Sequence, residues 1–273
     1  TFWKNVSDGA IFSPFKRSLF DILDGRWTLD KQPLFLAAEM MSRLISPYDN
    51  PMRGQNPLKP ILEKSINFEA LRDGPIKLFI NATNVRTGRG HVFRTKEVTP
   101  DVLMASACLP TLFPAVEIDG EAYWDGGYSG NPMLTSLIRE CNSMDTVIVQ
   151  INPVERPGIP KTSGEIMNRL NEISFNSSLL KELRFLSLIS DAVPEDKRDG
   201  ESGLWGSQRL HIIGNEIMIN LGHSSKLNAE WEFLTMLKAE GRKSADLFLS
   251  ENGHNLGERS TFDKSILQEG IDR

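Results

Sequence analysis

The chain has 273 residues, of which 40% are apolar and 25% charged, and its formal net charge is -5, a composition typical of a soluble globular protein with one or two domains. The acidic balance and the absence of a basic stripe argue against a nucleic-acid partner. Cys108 and Cys141 form no C-x-x-C pair, which excludes a disulfide scaffold and predicts a reducing cytoplasm, and no apolar run is long enough to span a membrane.

The first 60 residues are helical in pattern, with interruptions, and two strands follow them. Apolar spacings of three and four predict a helix over residues 33–45, and a proline-rich loop follows over 46–60. Residues 76–82 read as a mostly buried strand. A glycine turn then leads into a second short strand over 91–94.

The middle of the chain carries the clearest local signals. Thr99 before Pro100 predicts the start of a helix. The Asp119-Gly120 pair between two short apolar runs predicts a β-hairpin. Residues 145–151 form the clearest buried strand pattern in the chain.

The C-terminal part is mostly helical in its pattern. Its predicted elements are a linker over 155–164, a helix over 164–188, a charged loop over 194–206, a strand over 209–213 and helices over 226–250. Strands separated by helices favour an α/β layered fold with a helix-rich C-terminal extension. We therefore expect two units, a core over residues 1–155 and a mainly helical extension over 156–273, packed on it.

The run of residues 123–132 is the most informative motif. It places Asp125 directly after an aromatic pair suited to a strand, on a turn formed by Gly126 and Gly127. Burial beside aromatic residues raises the pKa of a carboxylate toward the range useful for a general base. A purely structural Asp-Gly turn is the alternative interpretation of these residues taken alone.

Several segments together resemble one family. Residues 79–88, 105–114, 116–120 and 125–132 resemble, in the same order, segments of the patatin-like phospholipases, which are serine acyl hydrolases with a Ser-Asp dyad. The resemblance runs from about residue 76 to 153 and implies a three-layer sheet flanked by helices. It also implies that Asp125 is the acid of the dyad and that Gly126 and Gly127 shape the turn presenting it.

The family's other two parts are not found in these residues. They are a glycine-rich loop that forms the oxyanion hole and a serine in G-x-S-x-G after a strand, both N-terminal to the resembling region. Ser129 lies on the same turn as the acid and is no substitute for that serine. We therefore expect this chain to be the C-terminal part of a patatin-like core that is incomplete at its N-terminus, inactive by itself, with a separate N-terminal fragment among its candidate partners.

The function implied is hydrolysis of lipid acyl esters, without a cofactor or metal. The histidines do not pair at metal-ligand spacing. Peripheral membrane contact and the oligomeric state are left open. The main alternative is a non-catalytic patatin-like scaffold that binds lipid or a protein partner, and an unrelated α/β hydrolase with a late histidine is a third.

Overall fold

The computed structural model describes residues 2–10, 15–49, 56–194 and 200–268. The chain is a mixed α/β protein with a sheet flanked by helices and a helix-rich C-terminal region, which confirms the predicted fold class. The α-helices are α1 (Phe2–Gly9), α2 (Leu19–Leu23), α3 (Pro33–Leu44), α4 (Leu58–Ser65), α5 (Phe68–Arg72), α6 (Pro100–Ser106), α7 (Leu134–Glu140), α8 (Ser163–Ala192), α9 (Gly200–Gly206), α10 (Trp231–Asn252) and α11 (Ser265–Gln268). The strands are β1 (Phe79–Asn84), β2 (Gly90–Arg94), β3 (Val116–Ile118), β4 (Glu121–Asp125), β5 (Asp145–Val149) and β6 (Arg209–Ile213).

Side-chain caps fix where two central helices begin. The Thr99 hydroxyl accepts a hydrogen bond from the Val102 N–H at 3.2 Å, and Pro100 occupies the first helical position of α6, as predicted. Thr162 and Glu165 form a capping box at the start of α8. This helix runs through Ala192, four residues beyond the predicted end at 188.

A four-stranded antiparallel sheet in the order β2-β1-β4-β3 carries the acidic turn. The β3–β4 hairpin is confirmed, with φ of 51° at Asp119 and 80° at Gly120, as a tight primed turn requires. Strand β4 pairs with β1 in a register that sets Ala82 opposite Asp125. A buried cluster from α6 and the sheet holds this layer together: Ala82, Phe93, Val102, Ala105 and Tyr123.

Strands β5 and β6 form a separate parallel pair. The prediction of a buried strand over 145–151 is wrong in extent and in burial, because Val147, Val149 and Ile151 are 43%, 70% and 57% exposed. Their alternation shows that β5 buries one face only, with Thr146 and Ile148 turned inward. Within the described residues, β5 hydrogen-bonds a strand on one side alone, so its other edge is open.

The larger core cluster joins the β5–β6 pair to the helices around it. It contains Leu134, Ile138, Ile148, Leu179, Leu183, Leu186, Leu210 and Leu267. Since these residues come from α7, β5, α8, β6 and α11, the cluster crosses residue 155. The boundary predicted there stays a prediction.

Three other predicted segments differ in detail. The strand predicted over 76–82 begins at Phe79, and Ile76 is 72% exposed. The loop predicted over 46–60 ends early because α4 begins at Leu58, and its residues 50–55 lie outside the described part. In the loop predicted over 194–206, residues 195–199 are likewise outside it, and Gly200–Gly206 is helical. Among the described helices, none is both long and apolar enough to span a bilayer.

Candidate active site

Asp125 is the last residue of β4, and its backbone is held on both sides. Its N–H donates to the Cys108 carbonyl at 2.9 Å. Its own carbonyl accepts a hydrogen bond from the Thr83 hydroxyl at 2.7 Å. The chain therefore leaves the sheet at a fixed position.

The Asp125 carboxylate is half-buried and has one backbone partner. Its Oδ1 accepts a hydrogen bond from the Gly127 N–H at 2.7 Å. Burial raises the pKa of Asp125, while that hydrogen bond and the positive charge of Lys226 oppose the rise. A carboxyl with raised proton affinity is a better general base than a solvated one.

Both glycines of the turn are required by space. A Cβ on Gly126 would collide with the backbone carbonyl of Asn81 on β1. One on Gly127 would collide with the ring of Phe175, which projects from α8. Neither glycine is among those with positive φ, so close approach and not backbone conformation explains them.

Polar side chains of β1 hold the turn from behind. The Asn81 amide donates to the carbonyls of Gly126 and Gly130, each at 2.8 Å. The Ser129 hydroxyl donates to the Gly126 carbonyl at 3.2 Å and lies 2.9 Å from the Thr83 hydroxyl. These contacts make Ser129 a part of the turn, which supports its interpretation as a structural residue and not a nucleophile.

Asp125 opens into a cavity of about 410 Å³. The walls come from the acidic turn, α3, α8 and the segment before α10. They include Asp125, Gly127, Tyr128, Phe35, Ala38, Ser42, Asn152, Asn168, Phe175, Ser224 and Lys226. This volume is ordinary for a small-molecule site, and one carboxylate at the wall is a typical polar anchor.

Lys226 is a second charged group in the cavity wall, and nothing in the sequence pattern pointed to it. Its ammonium donates to the Asn152 side-chain oxygen at 2.8 Å and lies 5.6 Å from the centre of the Phe175 ring. Lys226 is an exposed residue, and neighbouring protein atoms partly shield its ammonium from water. That desolvation lowers the pKa of Lys226, against the attraction of Glu172 and Asp125.

Among the described residues, two serines line the cavity, and each forms a hydrogen bond to a group other than Asp125. The Ser42 hydroxyl donates to the Glu39 carbonyl within α3 at 2.8 Å. Ser224 is 1% exposed, and its oxygen accepts the Leu29 N–H at 2.9 Å. Within the described residues, the only partner of the Asp125 carboxylate is the Gly127 N–H. The cavity therefore holds an acid without a serine hydroxyl bonded to it.

Two histidines, His211 and His91, have partners other than this acid. His211 is fully buried and lies 2.9 Å from the Thr261 hydroxyl and 3.1 Å from Asp145. His91 packs its ring on Phe93. In the described part of the chain, no group of three or more His, Cys, Asp and Glu side chains could hold a metal ion.

Comparison with known families gives one match. Residues 8–138 match the model of the family described as patatin-like phospholipase. The match covers the four-stranded sheet and the acidic turn, and it begins well before residue 76, where the motif resemblance begins. No curated protein matches the chain.

Proposed function

We propose that the chain provides the acid of a Ser-Asp dyad for hydrolysis of lipid acyl esters, since residues 8–138 match the model of the patatin-like phospholipase family, as the motifs predicted. The observation that carries this proposal is the position of Asp125. Its carboxylate is half-buried, held by one backbone N–H, and faces a cavity of substrate size. The family itself supports a lipid hydrolase more generally.

The geometry supports a direct role as general base. Gly127 occupies Oδ1, so Oδ2 of Asp125 is available to a serine hydroxyl. In the proposed reaction, the serine oxygen attacks the ester carbonyl while Asp125 takes its proton. Asp125 then gives that proton to the leaving alcohol oxygen, which leaves an acyl-serine. Water attacks the acyl-serine in the second half, and the same carboxylate relays the proton back to the serine.

In this proposal the serine comes from a segment outside these 273 residues, because they contain no G-x-S-x-G run. The open edge of β5 is the place where we propose that this segment binds. A strand added there in parallel would end beside the carboxyl end of β5. Ile151 and Asn152 follow β5 and line the Asp125 cavity, so a serine just after the added strand would face the acid.

The surface near the cavity also supports peripheral membrane contact. Helix α3 turns Phe35 and Ala38 to the cavity, while Met40 and Leu44 are 66% and 78% exposed. Leu23 on α2 is 83% exposed. An apolar surface beside a lipid-hydrolase cavity suits contact with a bilayer from one side.

A non-catalytic scaffold that binds lipid or protein is the second candidate. It is favoured by the absence, within the described residues, of a serine bonded to Asp125, although the cavity is formed. The two candidates differ in one respect that can be measured. Only the dyad proposal requires the Asp125 carboxylate itself.

The test is a p-nitrophenyl acyl ester assay of this chain co-expressed with a segment that carries a glycine-rich loop and a G-x-S-x-G serine. We expect activity from the pair, and Asp125→Asn should lower kcat about a thousandfold or more, since an amide cannot accept the proton. Asp119→Asn on the same hairpin is the control, because Asn tolerates positive φ. Full activity in Asp125→Asn would refute the assigned role, and an inactive pair would favour the scaffold.

A further inference from the structure

A second, larger cavity of about 570 Å³ adjoins the one that contains Asp125. The two cavities share six wall residues: Ile151, Asn152, Asn168, Asn171, Lys226 and Leu227. A ligand group at this shared wall can therefore extend into either cavity. The Asp125 cavity contains the chemistry proposed above, and the larger one has no assigned role.

The larger cavity is built mostly by residues after the family match. Its apolar walls come from the end of β6, the segment that follows it and α10. They include Ile213, Ile217, Met218, Leu221, Leu234 and Leu237. At one part of the wall, Asn215 donates to Glu240 at 3.1 Å and to Ser244 at 2.9 Å, so these polar groups satisfy one another. The remaining space is suited to hydrocarbon.

Lys226 stands at the shared wall with a neutral hydrogen-bond partner. Its ammonium bonds to Asn152, and among the described residues no carboxylate lies within ion-pair distance of it. The nearby Glu172 is paired instead with Arg156 at 2.5 Å and Arg169 at 3.3 Å. The Lys226 ammonium therefore lines the shared wall with a neutral partner and no ion pair among the described residues, and an anionic ligand oxygen would give it a charge-assisted hydrogen bond.

We infer that the larger cavity binds a long fatty acyl chain, with the carboxylate end of the fatty acid held by Lys226 beside the Asp125 cavity. The acyl ester carbonyl would occupy the same place before hydrolysis, a statement that rests on the proposed function. The C-terminal region then determines which acyl chain is accepted, since Ile217, Met218 and Leu237 form the walls around it. Binding of the free fatty acid needs no catalytic serine.

The experiment is titration calorimetry of this chain with hexadecanoate below its critical micelle concentration, beside hexadecanol and butanoate. We expect saturable one-site binding of hexadecanoate and no binding of butanoate, because burial of the long hydrocarbon chain supplies most of the binding free energy. Lys226→Met should weaken hexadecanoate binding about tenfold or more and leave hexadecanol binding unchanged. The reason is that only hexadecanoate has a charged group that pairs with the Lys226 ammonium. Lys238→Met on the exposed face of α10 is the matched control.

A second variant tests the cavity independently of the charge. Leu237→Trp fills the apolar space and should abolish hexadecanoate binding, whereas Leu249→Trp, at a 55% exposed position of α10, should not. Circular dichroism establishes that each variant is folded. Absence of saturable hexadecanoate binding, or binding unchanged in both Lys226→Met and Leu237→Trp, would overturn the inference. Saturable hexadecanoate binding by the unsubstituted chain, together with no esterase activity of the unsubstituted co-expressed pair, would count against the proposed function alone.

Discussion

At the residue scale, Gly126 is the position where the acidic turn has the least room. Its Cα faces the Asn81 carbonyl, and because that oxygen belongs to the backbone of β1 it cannot turn aside as a side chain would. Gly126→Ala should therefore lower the free energy of unfolding by about 2 kcal/mol or more. Urea denaturation of the two proteins measures the difference.

Gly241→Ala is the matched control for that substitution. Gly241 lies inside α10, and a Cβ there meets no other atom within 4 Å. Alanine in a helix interior should stabilise the protein by about 0.5–1 kcal/mol. Equal stability of the two variants would contradict the close approach at Gly126.

How far single residues could be predicted depended on local signals. The position of Asp125 at the end of a strand was predictable because an aromatic strand end followed by two glycines is a recognisable local pattern. Asn81 and Lys226 were not, since each acts on a segment far away in sequence: Asn81 on the turn about 45 residues later, and Lys226 on Asn152. Their chemistry exists only after the chain has folded.

At the scale of elements, an ion-pair network connects β5 to β6 and to the segment after α10 that contains Gly257 and Thr261. Arg209 contacts both oxygens of Asp145, at 2.9 and 2.6 Å, and the Gly257 N–H donates to the same carboxylate at 3.0 Å. His211 adds a contact at 3.1 Å and reaches Thr261 on its other side. The C-terminal region is thereby held against the parallel pair of strands.

Asp145→Asn should destabilise the protein by about 2–4 kcal/mol, because it leaves Arg209 with a neutral partner in a mostly buried place. Asp191→Asn breaks the exposed pair with Lys264 and should cost about 0.5 kcal/mol or less. Chemical denaturation at neutral pH compares the two. A loss at Asp145 no larger than that at Asp191 would show that the network does not stabilise the fold.

The same network determines how the stability of the protein changes with pH. Hydrogen bonding by Arg209, with smaller contributions from Gly257 and His211, holds the pKa of Asp145 well below its usual range. The stabilisation is present above the unfolded-state pKa of about 3.9 and is lost as the pH falls through the folded-state value. The stability difference between the protein and Asp145→Asn should therefore shrink in acid.

Strand β5 shows why an element can be located and its burial still predicted wrongly. Its apolar β-branched run gave the position correctly, but burial depends on what covers each face and edge. Here β6 covers one edge and helices cover one face, so Val147 and Val149 stay exposed. The pattern within the strand does not specify which segments, far away in the sequence, cover its faces and edges.

At the scale of the molecule, residues 8–138 and the residues after them contribute different features. The family-matched residues 8–138 present the acid on its turn, and the residues beyond them form most of the larger cavity and the Lys226 wall. The family match and the position of Asp125 at the end of β4 could be inferred from motifs. The cavities could not, because their walls combine helices that are far apart in the chain.

The most direct test of the central claim is labelling with a fluorophosphonate probe, followed by peptide mapping of the labelled serine. The account predicts no labelling of this chain alone, because the nucleophile of a serine hydrolase contributes on the order of a millionfold in turnover. Together with a segment bearing the G-x-S-x-G serine, the label should map to that serine and should depend on Asp125. Robust labelling of a serine within these 273 residues, such as Ser129 or Ser224, would contradict the account.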